Sequence, residues 1–329
     1  LKKYGRWILG VLLFLVIVEI VVIAPESINQ AGDSETQDDG EGESLSDDSF
    51  KQAMHGAHAV GTSEGKKEWE IWADEAFDFS SEQDWTLANV KAVFTGEDGV
   101  YFTVTGKEGY VEPDSKNMQI KGNVITRSSN GYVFRTETVS YTAASRFLQS
   151  PGAVRVTGPR DGNGDSLKMS GVGMEANVAT STVEILDQVK ASKAVKEDKV
   201  ARIRSRRAML SGKKRMATFH GNVIIDMDDM RITGPDAEFV YDKKNEAVES
   251  MYVKNGVKVS DSLKYATSDN VRVLFEEEKF VFRGAPRVVQ NSDELTGDQI
   301  VFLDGGKRVK VQKVRARVDE ESVKKGPKQ

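Results

Sequence analysis

At 329 residues the chain is long enough for two domains of ordinary size. Its formal net charge of -5, from 46 basic and 51 acidic side chains, gives no case for a nucleic-acid-binding surface. With no cysteine, disulfides, thiolate metal sites and cysteine nucleophiles are excluded.

Lys2, Lys3 and Arg6 precede an almost unbroken apolar run from Trp7 to Ile23, closed by Ala24-Pro25. Such a run rises roughly 26 Å as a helix, close to the ~30 Å hydrocarbon core of a bilayer. It exceeds an ordinary signal-peptide core and its Ala-Pro exit is a poor cleavage site, so residues 1–25 read as an uncleaved transmembrane anchor. The basic end is expected in the cytoplasm, placing the bulk of the chain across the membrane. Glu19, inside the run, has two readings: a contact with a partner helix, or a side chain that snorkels to the nearby interface.

Residues 26–50 are rich in Asp, Glu, Ser and Gly and nearly devoid of large apolar side chains. They read as a flexible acidic tether, with docking to a basic partner as the alternative.

From Trp69 to Val318 the pattern turns to short alternating runs, among them Trp69 to Ala73, Val100 to Thr105, Tyr132 to Thr136, Phe239 to Tyr241, Asn270 to Phe275 and Lys279 to Phe282. Gly96 to Gly99, Ser129 to Gly131 and Asp304 to Gly306 suit the hairpins between them. No long helical period follows the anchor, so the fold class is all-β. A short phrase also returns, as Gly122-Asn123-Val124, Gly152-Ala153-Val154, Gly221-Asn222-Val223, Asn255-Gly256-Val257 and Gly284-Ala285-Pro286. Outside one central stretch it recurs about every 30 residues, in the range of repeat architectures. Units of this size cannot bury their own apolar faces, and stacked they enclose a long apolar trough.

The central stretch, Lys190 to Arg207, crowds Lys193, Lys196, Lys199, Arg202, Arg204, Arg206 and Arg207 together. It reads as a solvated connector or as a site for the phosphates of an anionic glycolipid. It sets the expected division into blocks 51–198 and 199–318, before a basic tail at 319–329.

The motifs of both blocks resemble components of the lipopolysaccharide-export bridge of Gram-negative bacteria. The first is similar to the LptC family in its anchor, Trp69 to Ala76, Thr105 to Tyr110, Gly122-Asn123-Val124, Thr136 to Tyr141 and Ser170 to Ala176. The second resembles the LptA/OstA-like family in Ala217 to Val223, Ile232 to Tyr241 and Leu295 to Phe302. The resemblance implies two tandem folded-over β-jellyroll (β-taco) domains after a single transmembrane helix, and a location at the inner membrane with the bulk of the chain in the periplasm. It implies as partners lipopolysaccharide, the inner-membrane Lpt ABC transporter, and an LptA-like bridge protein or outer-membrane LptD-type protein joined by edge-strand pairing. No cofactor or nucleic acid is expected.

In this reading apolar faces of opposed strands shield acyl chains, each CH₂ of which costs ~0.8 kcal/mol to expose. The lipid-binding positions are expected at Ile71, Phe102, Val104, Met118, Ile120, Phe134, Val154 and Val156 in the first block. In the second they are Phe219, Val223, Ile225, Met251, Val253, Val257, Val259, Val273, Phe275, Phe280, Phe282, Ile300 and Phe302. A dry β core would use the same residues. Met118, Met169, Met230 and Met251 either adapt the trough to different chains or fill irregular gaps. Glu137 and Glu278 are expected to point outward.

An enzyme is not expected. Asp226, Asp228, Asp229 and Glu276 to Glu278 lie in runs, as solvated charge does, and no converging pair stands out. His55 and His58 sit beside the tether, where His55-x-x-His58 is a metal-binding alternative that lacks acidic partners of clear spacing, and His220 follows Phe219 on a strand. The alternative to transport is an anchored structural β-repeat scaffold.

Overall fold

The computed structural model describes residues 50–63, 65–79, 84–196, 199–243, 247–304 and 308–317. The anchor with Glu19, the tether, the basic tail and Gly305-Gly306 lie outside them. The described residues form one continuous antiparallel β structure.

The first nine strands are β1 (Phe50–Ser63), β2 (Lys66–Phe79), β3 (Trp85–Thr95), β4 (Tyr101–Val111), β5 (Met118–Ser128), β6 (Val133–Thr142), β7 (Phe147–Arg160), β8 (Ser166–Asn177) and β9 (Thr182–Lys196). Each pairs with its successor. Next come β10 (Lys199–Ser205), β11 (Arg207–Ser211), β12 (Met216–Met227), β13 (Met230–Tyr241), β14 (Val248–Lys254), β15 (Val257–Ser260), β16 (Lys264–Ser268) and β17 (Asn270–Leu274). The last are β18 (Lys279–Arg283), β19 (Arg287–Gln290), β20 (Asp293–Thr296), β21 (Gln299–Leu303), β22 (Arg308–Gln312) and β23 (Arg315–Arg317). The chain is strand-forming from Phe50, earlier than the alternation at Trp69 suggests, because β1 is an edge strand that touches the core only through small residues such as Ala57 and Gly61 and shows no large apolar periodicity.

Long strands bend in the middle, and the bends split the sheet into two facing layers. After β13 the split is complete: β13 continues through β15, β16, β19, β20 and β23 in layer 1, and through β14, β17, β18, β21 and β22 in layer 2. Upstream, halves of the same strands build both layers, as where β5 pairs with β6 through Val124 to Arg127 in layer 1 and Met118 to Lys121 in layer 2.

The returning phrase of the sequence is the corner of this fold. Gly122-Asn123 has φ of 81° and 52°, Gly221-Asn222 79° and 53°, Asn255-Gly256 68° and 95°. Left-handed backbone is cheap for Gly and tolerable for Asn, and two such residues turn the chain over, within β5 and β12 at the first two pairs and between β14 and β15 at the third. Gly106, at the β4 corner, is needed for closeness: a Cβ there would lie 2.5 Å from Ile120 Cγ2 and 2.9 Å from the Lys121 carbonyl.

The basic stretch is not a connector. β10 pairs with β9 from Val200↔Ala194 to Ser205↔Val189, so the strands on either side of the expected boundary are joined in one sheet. Alternation turns Arg202 and Arg204 outward but Lys193 inward, between Ala191 and Val195. There the Lys193 ammonium meets Asp161 at 2.5 Å, with side-chain exposures of 2% and 3%. It also donates to the Asp165 carbonyl at 3.2 Å, while Asp161 Oδ1 accepts from the Asn163 and Asp165 amides, each at 2.9 Å. Burial pushes the Asp161 carboxyl up, but Lys193 and those two amides outweigh it and hold the group below its ordinary value.

Candidate functional site

Opposite the corners, the hairpin turns of the two layers face each other along a seam. In the first half the seam is shut. The β3–β4 turn of layer 1 meets the β8–β9 turn of layer 2 through Glu97 N donating to the Ala179 carbonyl at 3.3 Å and Ser181 Oγ donating to Asp98 at 2.8 Å. Arg146, from the β6–β7 turn of layer 2, reaches across to the Thr95 carbonyl at 2.7 Å and Glu97 at 3.2 Å. Behind this closure the interior is packed: Phe94 and Tyr141, from opposite layers, meet with ring centroids 4.3 Å apart and planes tilted by 40°. A gap of about 10 Å³ beside Phe102 and Phe134 is at the lower limit for one water. The hydroxyls of Thr126 and Ser128 are buried here without a hydrogen-bond partner, a penalty of about 1–3 kcal/mol each that makes the closed interior cheaper to open.

In the second half the seam parts around a cavity of about 290 Å³. Its apolar lining includes Val273, Phe275, Phe280, Phe282, Val288 and Phe302, with Phe282 and Phe302 edge to face at 5.5 Å. Met227 and Met230 bring flexible, polarisable walls. The mouth is charged: Asp228, Asp229 and Asp261 stand on layer 1 turns, Lys199 and Lys264 beside them, and Glu278 on the β17–β18 turn. Lys199 and Glu278 approach to 3.8 Å across the opening. An apolar floor under a polar rim suits an amphiphile with its chain inside and its head in water.

All the lipid-binding positions expected from sequence fall on inward faces and are buried, except Phe280, which is half-buried. Val259, Val273, Phe275, Phe280, Phe282 and Phe302 come together around the cavity. The first-block positions and the remaining second-block ones are core in this closed state. Met118, Met169 and Met251 pack in that core, and Met230 lines the cavity. Glu278 corrects the expectation that it points outward: its turn folds it to the cavity mouth. The rim residues escape sequence reasoning because turns carry no face periodicity.

The histidines are engaged locally. His58 meets Glu70 at 2.9 Å and stacks on Trp72, and His220 meets Asp236 at 2.8 Å. Among the described residues no cluster of three metal-ligating side chains occurs. Asp226 is held below its ordinary carboxyl value chiefly by its hydrogen bond to Arg231, with Arg204 adding to it. That marks a surface ion-pair group, not an acid poised for catalysis.

Residues 11–194 match the family described as lipopolysaccharide-assembly, LptC-related. The chain belongs to this family. Residues 202–305 of this LptC-related chain match a second, the LptA/(LptD N-terminal domain) lipopolysaccharide transport protein. Both are transport families, and the two matches in tandem are those of an LptC–LptA fusion. Among solved structures, the crystal structure of LptH, the LptA homologous periplasmic component of the conserved lipopolysaccharide transport device from Pseudomonas aeruginosa, is similar at a TM-score of 0.33 and 14% identity. That alignment covers 36% of this chain and 94% of LptH. No curated protein matched. Among the described residues no helix is long and apolar enough to cross a membrane.

Proposed function

We propose that this chain carries lipopolysaccharide through the periplasm with the acyl chains between the two layers and the sugars outside the seam, and that it does so without catalysis. The cavity behind Phe280 and Phe282 carries this reading: it is apolar inside, charged at its mouth and continuous with a core of inward aliphatic and aromatic side chains. At about 290 Å³ it is at the small end of ligand sites, so more than one acyl chain requires the layers to part further. The lipid-binding positions named above are then the walls of the widened groove.

In the same reading residues 1–25 anchor the chain in the inner membrane beside the Lpt ABC transporter. β1 at one end, with β22 and β23 at the other, offer open strand edges for β-augmentation. The C-terminal edges would take an LptA-like protein or the outer-membrane LptD-type protein. Lipopolysaccharide should co-purify with the intact protein and be depleted by Phe280→Glu. Protein that is folded and lipid-free in both forms points instead to a structural scaffold.

A further inference from the structure

Antiparallel partners share a face, so outward residues align into rows across the sheet. One outward row of layer 1 runs beside the folded corner from His58 on β1 to Arg315 on β23, one residue per strand. It holds Lys91, Arg135, Arg155 and Lys190 on the first nine strands. Beyond them it holds Arg204, Lys258, Arg287 and Arg315, and no Asp or Glu anywhere. The corresponding row of layer 2, from Phe77 to Lys310, has Glu175, Glu184 and Glu238 against Arg272 and Lys310.

Such a row is unfavourable by itself. Arg135 faces Arg155 and Lys190 faces Arg204, and like charges directly opposite destabilise a sheet. Arg204 has Asp226 at 3.2 Å and Arg287 has Glu294 at 2.8 Å. Arg135, Arg155 and Lys190 make no ion pair among the described residues, in a chain whose net charge is -5.

We propose that this cationic row is the docking surface for residues 26–49 of the same chain. That segment carries nine carboxylates and not one Lys or Arg. It leads into the layer 2 end of β1, where Phe50 pairs with Phe79, and His58 lies about eight residues or ~26 Å further along that strand, so tethering still keeps its concentration at the row high. Its 24 residues span at most roughly 80 Å; with ~26 Å taken up in rounding the corner, roughly 50 Å remain, enough at ~4.8 Å per strand to follow the row from β1 to β10. The head groups of a lipid held between the layers are the poorer occupant. They leave through the seam, whereas Lys190 stands six residues from the open end of β9, roughly 20 Å away. Docking draws the anchor side of the chain against β1, and rising ionic strength releases it.

The test uses the full chain with a photo-crosslinker at Gln30 or at Gln37, both far enough from Phe50 to reach β6. Crosslinks are expected on β6 to β10 beside Arg135, Arg155 and Lys190. They should fall at least fivefold in about 0.5 M salt, and equally when the nine carboxylates become amides or when Arg135→Gln, Arg155→Gln and Lys190→Gln are combined. Melting provides the second measurement. Neutralising the segment alone should lower Tm by about 3 °C, and neutralising the row as well should restore it, a coupling that two independent surfaces would not show. Crosslinks spread alike over both layers, crosslinks indifferent to salt, or additive Tm changes would each overturn the proposal. None of these readouts depends on whether lipid occupies the interior.

Discussion

Arg146 and Thr95 stand on opposite layers, and the Arg146 guanidinium donates to the Thr95 carbonyl at 2.7 Å. With Glu97 at 3.2 Å, this contact ties a layer 2 turn to a layer 1 turn where the first half must open if a lipid is to enter. Arg146→Ala removes a charge-assisted hydrogen bond of the kind worth about 1.5–3 kcal/mol. It should accelerate amide exchange in Gly96 to Gly99 while leaving the strands around Phe239 unchanged. Unaltered exchange there would mean the seam is held by packing alone.

The cavity and the closed core predict different outcomes for the same kind of substitution. Phe134 is 1% exposed and the gap of about 10 Å³ beside it is too small to hydrate a carboxylate, so Phe134→Glu should prevent folding of the first half. Phe280, half-buried at the cavity, should tolerate Phe280→Glu with a Tm loss of a few degrees and lose bound lipid. Circular dichroism melts and lipid quantification on the two variants separate packing from passage.

Lys193 and Asp161 make stability depend on pH with a definite sign. The Asp161 carboxyl is depressed in the fold, so its contribution is complete above the ordinary Asp value near 4 and is lost as pH falls through the lower folded value. Lys193→Met leaves a buried carboxylate uncompensated, at a cost of about 3–5 kcal/mol near neutrality. Burial is the largest influence on Asp161 and, without Lys193, pushes its carboxyl up, so the variant should gain stability relative to the wild type as pH falls from 7 toward 4. Urea unfolding at pH 7, 5.5 and 4 gives both slopes.

The corners make a fourth prediction. Gly106→Ala must push Ile120 or the Lys121 backbone aside and should cost about 1–3 kcal/mol. Gly122→Ala instead strains a residue at φ 81°, by about 1–2 kcal/mol. Gly152, whose Cβ would meet nothing within 4 Å and whose φ is not positive, should accept Ala almost without effect. Chemical denaturation of the three variants ranks them.

Much of this architecture is legible because its interior obeys period two. The alternation of Val271, Val273 and Phe275, or of Phe134 with Thr136, identifies the inward face without any coordinates. The corner phrase is equally visible as a recurrence about every 30 residues, although sequence alone does not show that it is the bend of each unit. What sequence does not show is set by contacts between distant turns. Arg146 on Thr95 shuts one half of the seam, Glu278 turns to the cavity mouth, and Lys193 is drawn inward by a carboxylate 32 positions earlier. The cationic row is hidden for the same reason, since Arg135, Arg155 and Lys190 become neighbours only through strand register.

In the proposed function lipid travels between the two layers. The most direct measurement is in-cell photo-crosslinking to lipopolysaccharide from Phe280 and Phe282, with Arg272 on the outward face of layer 2 as control. Crosslinks at the two phenylalanine positions alone, abolished when the inner-membrane transporter cannot hydrolyse ATP, are the predicted result. Equal crosslinking at Arg272, or none at any position from abundant folded protein, would contradict it.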